Sequence, residues 1–178
     1  MDDGVVLGLY GLAAQQPQLA SLAVLVADDG IFVLPLAVVL VWLGSGPSQA
    51  SRRRVVLGVV LAGALACVVA IAIGLVLEHS LARPRPFVAL GIAPLLPHAA
   101  DSSFPSDHTL AGVALIGVLA WRVPRIGGWL LGWALLVGAA RVMAGLHYPS
   151  DIAGSAVLAL ALDGLAWRLL TRVYRSRV

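Results

Sequence analysis

Residues 55–77 read VVLGVVLAGALACVVAIAIGLVL, and this run contains no charged residue before it ends at Glu78. A helix needs about 20 apolar residues to cross the hydrocarbon core of a bilayer, so the run is long enough to span. Inside hydrocarbon the backbone amide and carbonyl groups must pair with one another, which a helix achieves within a single segment. The run therefore predicts a transmembrane helix, around which the rest of the chain has to be arranged.

The composition of the whole chain is also that of a membrane protein. The 178 residues are 60% hydrophobic and 12% charged, whereas soluble domains carry about 25% charged residues. Further apolar runs that could cross lie at 30–44, 107–121, 126–144 and 150–170. We expect one all-α domain over residues 1–178, a polytopic membrane helix bundle with about five to six transmembrane helices.

The amino-terminal region differs from the rest. Residues 4–14 and 18–27 are apolar, but each is only about half as long as a span requires, and a polar segment at 15–18 separates them. This pattern predicts interfacial or re-entrant helices in residues 1–28, followed by a helical core at 29–172. The start of the chain lacks the positive region and cleavage site of a removable signal peptide, so we expect it to be retained.

The distribution of basic residues predicts the orientation. All 12 are arginine, and only Arg83, Arg85 and Arg141 fall in or beside the connections on one side of the predicted bundle. The other nine fall on the opposite side: Arg52, Arg53, Arg54, Arg122, Arg125, Arg168, Arg172, Arg175 and Arg177. By the positive-inside rule the nine are cytoplasmic, together with the carboxyl terminus, and the three face the extracytoplasmic side. Arginines so scattered do not form a nucleic-acid surface, and the single Cys67 allows neither an internal disulfide nor a cysteine-based metal site.

Two segments at the extracytoplasmic edge carry groups that suit an anion. In Arg83-Pro84-Arg85-Pro86 the prolines keep the backbone extended, so that two guanidinium groups are presented at the membrane surface. The segment 104–108, Phe-Pro-Ser-Asp-His, opens a predicted span, and Pro105 suits the first helical position. The amides of residues 106–108 would then be free to bind an anion at a helix amino terminus. Each segment also has an explanation without anion binding: the two arginines contact lipid headgroups, and Ser106 or Asp107 caps the helix.

A third segment repeats this arrangement at the start of the last span. Arg141 is followed by His147 and by Tyr148-Pro149-Ser150-Asp151, in which Asp151 would lie close enough to orient the imidazole. A nitrogen of His147 could then attack phosphorus, while His108 protonates the leaving oxygen and later activates water. The arginines at 83, 85 and 141 would neutralise the phosphoryl oxygens. Taken alone, either histidine is better explained as an interfacial residue than as a catalytic one. So many polar groups at one membrane edge, however, raise the free energy of the folded protein unless a ligand binds there.

In order, these three segments resemble the signature of the type 2 phosphatidic acid phosphatases (PAP2). That signature has a Lys seven residues before Arg-Pro, then Pro-Ser-x-His, then an Arg followed by His and Asp after six and ten residues. The last two parts match completely at Pro105, Ser106 and His108, and at Arg141, His147 and Asp151. The doubled Arg-Pro and Asp107 look most like the undecaprenyl-diphosphate phosphatases of bacteria. The resemblance covers residues 78–151.

The resemblance implies a function and a set of roles. It implies hydrolysis of a polyprenyl diphosphate to the monophosphate through a phosphohistidine, with recycling of a cell-wall lipid carrier and with no metal or cofactor. Three residues would be catalytic: His147 as nucleophile, Asp151 as its partner and His108 as general acid. The implied phosphate ligands are Arg85, Arg141 and Ser106, and we add Asp107 and Arg83 to this group.

Departures from the signature leave one question about the phosphate site. Glu78 stands where the family usually has a phosphate-binding Lys, Asp107 replaces a common Gly, and Ala140 replaces a common Ser. A carboxylate next to a diphosphate repels it unless it is protonated or paired. We hypothesise that Arg83 replaces the missing Lys and that Glu78 holds an arginine in place. His79 and His98 match nothing and are expected to be solvent-facing loop residues without a role.

Other functions fit parts of the pattern. Phosphatidylglycerophosphate, phosphatidate or a polyprenyl-phosphoryl sugar phosphate could be the substrate, because the signature recognises phosphate and not the lipid tail. A non-enzymatic lipid-phosphate binder or transporter would also need the arginines, but it would not need an oriented nucleophile opposite a proton donor. The expected partners are thus the lipid substrate and membrane lipids, and no homo-oligomer is indicated.

Overall fold

The computed structural model describes residues 1–44 and 50–175, and every regular element within them is helical. The described residues form eight α-helices, with a short 3₁₀ turn, Gly30–Phe32, between the second and third. They are α1 Asp2–Ala14, α2 Pro17–Asp28, α3 Val33–Gly44, α4 Ala50–Leu81, α5 Pro86–Ala89, α6 Asp107–Arg122, α7 Pro124–Met143 and α8 Pro149–Arg175. The predicted all-α class is confirmed. Of the arginines counted for orientation, Arg52, Arg53, Arg54, Arg175 and Arg177 lie outside the residues whose side chains are described.

Each apolar run predicted to cross forms a helix, but fewer helices qualify as spans than expected. Val56–Leu81 of α4, the whole of α7 and Pro149–Leu169 of α8 are long and apolar enough to cross a membrane. A fourth span results if α2 is joined to Gly30–Gly44, a pair bent by 50° that is either a broken span or a re-entrant loop. Helix α6 has 16 residues, which at 1.5 Å per residue falls short of a bilayer core of about 30 Å.

Helix α6 nevertheless lies at the centre of the bundle. It packs against α4, α7 and α8, and its side chains are buried along most of its length. Lipid is as apolar as the side chains, so close packing between small residues has to hold the helices together. At Gly63 of α4, an added Cβ would lie 2.5 Å from the backbone oxygen of Leu115. This near-contact of backbones sets the distance between α4 and α6.

The packing brings several helix ends to the same end of the bundle. The carboxyl-terminal ends of α4 and α7 and the amino termini of α6 and α8 meet there, joined by the loops 82–106 and 144–148. Helix α8 begins at Pro149, as expected, but α6 begins at Asp107 with Ser106 as its amino-terminal cap. Pro105 therefore precedes the helix and does not occupy its first position, because Ser106 has an extended backbone with φ −80° and ψ 109°.

The close approach at Gly63 predicts a difference between two glycines of α4. Gly63→Ala should lower the free energy of unfolding by about 1–3 kcal/mol, because the new methyl group meets backbone that cannot move aside. Gly58→Ala is the matched control, since nothing lies within 4 Å of its added Cβ and alanine gains up to about 1 kcal/mol in helix propensity. Thermal unfolding in detergent measures both variants. Equal transition temperatures for the two would contradict the packing described here.

Candidate active site

The loops 82–106 and 144–148 are held together by backbone hydrogen bonds. The amides of Phe87 and Leu95 donate to the carbonyl oxygens of Gly145 and Ala144, each at 3.1 Å. The Ser103 amide donates to the Arg83 oxygen at 2.7 Å. Gly145 has a φ of +79°, a conformation that glycine adopts without the strain an L side chain would meet. The turn after α7 is thus fixed against the loop that carries the Arg-Pro segment.

His147 lies in this turn and is held as a neutral imidazole. Its side chain is 1% exposed, and Nδ1 lies 2.7 Å from the carbonyl oxygen of Ser103. A carbonyl can only accept, so Nδ1 carries the proton and Nε2 keeps its lone pair. Nε2 faces Nη1 of Arg85 at 3.1 Å. Burial lowers the pKa of His147 well below its usual value, and the charges of Arg141 and Arg85 lower it further.

Asp151 is completely buried in the first turn of α8, and it reaches His147 through an intermediate residue. Its Oδ2 accepts hydrogen bonds from the Ser103 hydroxyl at 2.5 Å and from the Tyr148 amide at 2.8 Å. The separation from His147 Nδ1 is 4.0 Å, an ion-pair distance and too long for a hydrogen bond. The expected contact between carboxylate and imidazole is therefore corrected: Ser103, which sequence reasoning missed, lies between them and contacts both.

Arg85 and Arg141 form the cationic part of the same cluster. Arg85 is 4% exposed and donates to the carbonyl oxygen of Leu146 at 3.1 Å. Arg141 is 3% exposed, and it donates to the Ala27 oxygen at 3.1 Å and lies 3.4 Å from Nε2 of His108. Among the described residues its buried Nε has no hydrogen-bond partner. This buried N–H of Arg141 is therefore a donor that a bound anion could satisfy.

The start of α6 contributes less than expected in this structure. Ser106 is buried, and its amide donates to the hydroxyl of Ser155 at 2.8 Å, so this amide is not free as predicted. The Ser106 hydroxyl lies 3.2 Å from that of Thr109. Asp107 is exposed at the edge of the cluster. Binding of phosphate by Ser106 and Asp107 stays a prediction.

Arg83 makes different contacts from those predicted. Its Nη1 donates to Oδ1 of Asp151 at 2.5 Å and to the Ser150 hydroxyl at 2.9 Å, while Nη2 lies 3.3 Å from Oδ2 of Asp2. Glu78 forms no ion pair with any described residue, so the hypothesis that it holds an arginine in place is wrong for this structure. It lines an open pocket of about 430 Å³ next to the cluster, with His79, Ala82, Arg83, Pro84, Ala100, Asp101 and Ser102.

Two residues of the long loop join the site without any signal in the sequence. His98 was expected to be a solvent-facing residue without a role, but its Nε2 accepts from Nη2 of Arg141 at 3.1 Å. Burial lowers the pKa of His98, which favours this accepting form. Asp101 accepts from Nε of Arg85 at 2.5 Å. An irregular loop has no periodicity from which these contacts could be read.

The cluster can therefore bind and attack a phosphate group. An imidazole nitrogen with a fixed lone pair, two buried guanidinium groups and a second imidazole lie within one network of contacts, which His98 and Asp101 complete. Within the described part of the chain, no group of three or more His, Cys, Asp or Glu residues is placed to hold a metal ion.

The ion pair between Asp101 and Arg85 predicts competition with phosphate. Because an incoming phosphate must take Arg85 from this carboxylate, Asp101→Asn should bind inorganic phosphate about two- to fivefold more tightly. Titration calorimetry in detergent measures the change. The matched control is Asp29→Asn, an exposed carboxylate at the end of α2, which should bind phosphate like the wild type. Weaker binding by Asp101→Asn would show that Asp101 supports the phosphate site.

Comparisons with known proteins agree with this fold and identify the family. Undecaprenyl-diphosphatase BcrC of Bacillus subtilis is 35% identical over 182 residues, covering 94% of this chain and 89% of the relative. Two crystal structures share the fold with a TM-score of 0.66. One, of LpxE from Aquifex aeolicus, is 24% identical and covers 93% of both chains. The other, of a transmembrane PAP2-type phosphatidylglycerolphosphate phosphatase from B. subtilis, is 22% identical and covers 97% of this chain and 85% of its own. The family model of the PAP2 superfamily matches residues 52–175, and the chain therefore belongs to that superfamily.

Proposed function

We propose that this protein hydrolyses a polyprenyl diphosphate, such as undecaprenyl diphosphate, to the monophosphate and inorganic phosphate. The observation that carries the proposal is the state of His147: a buried neutral imidazole whose Nδ1 is held by a carbonyl and whose Nε2 faces Arg85. The name of the relative from B. subtilis supports the choice of lipid. Hydrolysis of this lipid would recycle the carrier used for cell-wall glycans.

The geometry supports a reaction in two steps. Nε2 of His147 attacks the terminal phosphorus, the bond from phosphorus to the bridging oxygen breaks, and His108 in its protonated form gives its proton to that oxygen. Burial and the charge of Arg141 lower the pKa of His108 to about 4 in the free protein, so the negative charge of the bound diphosphate has to raise this pKa for the step to occur. The products are the lipid monophosphate and a phosphohistidine. Water then attacks phosphorus, returns a proton to His108 and releases inorganic phosphate, which restores the His147 lone pair. Arg85 and Arg141 stabilise the negative charge on the phosphoryl oxygens in both steps.

Asp151 acts on the intermediate through charge and through Ser103. Once Nε2 is phosphorylated and Nδ1 keeps its proton, the imidazole ring is positive. The carboxylate, 4.0 Å from Nδ1, favours this charge, and its bond to Ser103 keeps the accepting carbonyl in place. A binding protein or transporter would need the arginines but not this arrangement around one ring.

The proposed substrate class follows from the contacts that the cluster can make with the phosphate group of a lipid. The cluster contacts phosphoryl oxygens, and it would accept the phosphate groups of phosphatidylglycerophosphate, phosphatidate or a polyprenyl-phosphoryl sugar phosphate by the same contacts. Large apolar side chains are exposed on α3 and α4, where acyl or polyprenyl chains of the membrane can lie. Because these contacts are the same for each lipid, the preferred substrate is identified by comparing kcat/KM among the lipids.

The proposal includes a location and a domain arrangement. The site faces the extracytoplasmic side of the cell membrane and the carboxyl terminus is cytoplasmic, as the arginine distribution indicates. Residues 1–178 act as one membrane domain, in which the amino-terminal helices of residues 1–28 lie against the core at 29–172. The packing of Val6 against Val142 and Tyr148 supports this single unit.

The substrate and the nucleophile can be tested together. Purified wild type should release inorganic phosphate from undecaprenyl diphosphate with a higher kcat/KM than from phosphatidate or phosphatidylglycerophosphate. His147→Ala should lose at least about 10³-fold in kcat, because the variant lacks the nitrogen that forms the covalent intermediate. His79→Ala, an exposed histidine outside the cluster, is the matched control and should keep wild-type activity. Turnover retained by His147→Ala would exclude the proposed nucleophile, and preference for another lipid would change the substrate.

The lowered pKa of His147 predicts the acid side of the pH profile. A base with a lowered pKa keeps its lone pair as the pH falls through 6.5, so the acid limb of kcat/KM should lie well below pH 6.5. Rates of phosphate release between about pH 4 and about pH 8, a range that brackets the usual histidine pKa, measure this limb. An acid limb centred near pH 6.5 would mean that the nucleophile is an ordinary exposed histidine.

A further inference from the structure

We propose that Asp2 and Arg83 are positioning residues, which hold the buried Asp151 carboxylate and, through it, Ser103 and the His147 ring. The inference rests on the proposed function, in which His147 is the nucleophile. It gives Arg83 a role different from that of a phosphate ligand, and it makes α1 part of the active site.

The first support is the position of Arg83 next to a buried charge. Asp151 is 0% exposed, and Nη1 of Arg83 lies 2.5 Å from its Oδ1. His147, the other ionisable partner of Asp151, is neutral, so Arg83 supplies the opposite charge that a buried carboxylate requires. Removal of Arg83 would leave this charge uncompensated and free the carboxylate from one of its three donors.

The second support is that Arg83 is itself fixed from three directions. Its guanidinium group lies 4.2 Å above the Tyr148 ring, donates to the Ser150 hydroxyl, and pairs with Asp2 at 3.3 Å. The Ser150 hydroxyl also donates to Oδ2 of Asp2 in a short hydrogen bond. A cation over an aromatic face and between two carboxylates is held in one orientation. Such a group is suited to positioning, because both of its terminal nitrogens, Nη1 and Nη2, already have acceptors.

The third support is the way in which α1 is docked. Val6 is fully buried against Val142 and Tyr148, and the Tyr10 hydroxyl donates to the Ala93 oxygen at 2.8 Å. Asp2, one turn before Val6, is thereby placed beside Ser150 and Arg83. The hydrogen bond from Ser150 lowers the pKa of Asp2, and Arg83 lowers it further, so the carboxylate is ionised at neutral pH. Apolar docking of α1 and the ion pair thus support one another.

These contacts form one continuous path to the reacting atom. Asp2 holds Arg83, Arg83 holds Asp151, and Asp151 accepts from the Ser103 hydroxyl. The carbonyl oxygen of the same Ser103 accepts from Nδ1 of His147, which leaves Nε2 directed toward Arg85. A shift of Asp151 would therefore change the orientation of the nucleophile without removing any group that contacts phosphate.

Steady-state kinetics of Arg83 and Asp2 variants test the assignment. Arg83→Ala should lower kcat about tenfold to a hundredfold while KM and the inhibition constant of inorganic phosphate stay close to wild type. Asp2→Asn should lower kcat about threefold to fivefold, and Asp2→Glu, which keeps the charge, should retain most of the wild-type kcat. In an Arg83→Ala background, Asp2→Asn should cause no further loss of kcat. Arg85→Ala is the contrasting variant and should weaken inhibition by phosphate. Arg125→Ala, an exposed arginine at the opposite end of α7, is the matched control.

The outcomes separate this inference from the proposed function. If Arg83→Ala raises the inhibition constant of phosphate as Arg85→Ala does, Arg83 is a phosphate ligand and the inference is overturned. Unchanged kcat in Arg83→Ala, or additive losses in the double variant, would also overturn it. The substrate is judged from the wild type alone on the lipid panel. Positioning is judged from the ratio of variant to wild type on p-nitrophenyl phosphate and on the lipid that the wild type hydrolyses best.

Discussion

The buried carboxylate of Asp151 is the constraint on which the rest of the site depends. A carboxylate without solvent is tolerated only if hydrogen-bond donors and an opposite charge surround it. Here the donors come from three parts of the chain: the hydroxyl of Ser103, the amide of Tyr148 and the guanidinium group of Arg83. Satisfying Asp151 therefore fixes the long loop against the start of α8. Because the carbonyl of Ser103 also holds His147, the same requirement orients the ring of the proposed nucleophile.

The other half of the site contains buried positive charges, in contrast to the buried carboxylate of Asp151. Arg85 and Arg141 are almost fully buried, their like charges repel, and each is anchored by a backbone carbonyl oxygen. Repulsion between buried cations is relieved when an anion enters, although Arg85 has to exchange the carboxylate of Asp101 for the phosphate. The two arginines also disfavour a proton on His147. One pair of side chains thus prepares both the phosphate site and the reactive state of the ring.

The helix packing explains why such a site can exist at a membrane edge. Small residues let α6 approach its neighbours closely, so the ends of four helices meet around a narrow space. Polar groups are then buried by protein and not by lipid, and most of those in the cluster find partners within the chain. Helix α1 also packs against this end of the bundle, where Val6 contacts Val142 and Tyr148 and Asp2 pairs with Arg83. The amino-terminal region, which looks peripheral by hydropathy, is in this way connected to the chemistry.

The sequence by itself determined the class of fold and the residues that meet at one end of the bundle. Apolar runs fix where helices form, and the positions of Arg85, His108, Arg141, His147 and Asp151 relative to helix ends place them together. Tertiary structure alone decided what lies between these groups. The insertion of Ser103 between Asp151 and His147, and the contact of His98 with Arg141, depend on an irregular loop without periodicity. The pairing of Arg83 with Asp2 and Asp151 joins residues 81 and 68 positions apart. Such contacts are set by how helices pack and not by local preference, which is why no sequence pattern predicted them.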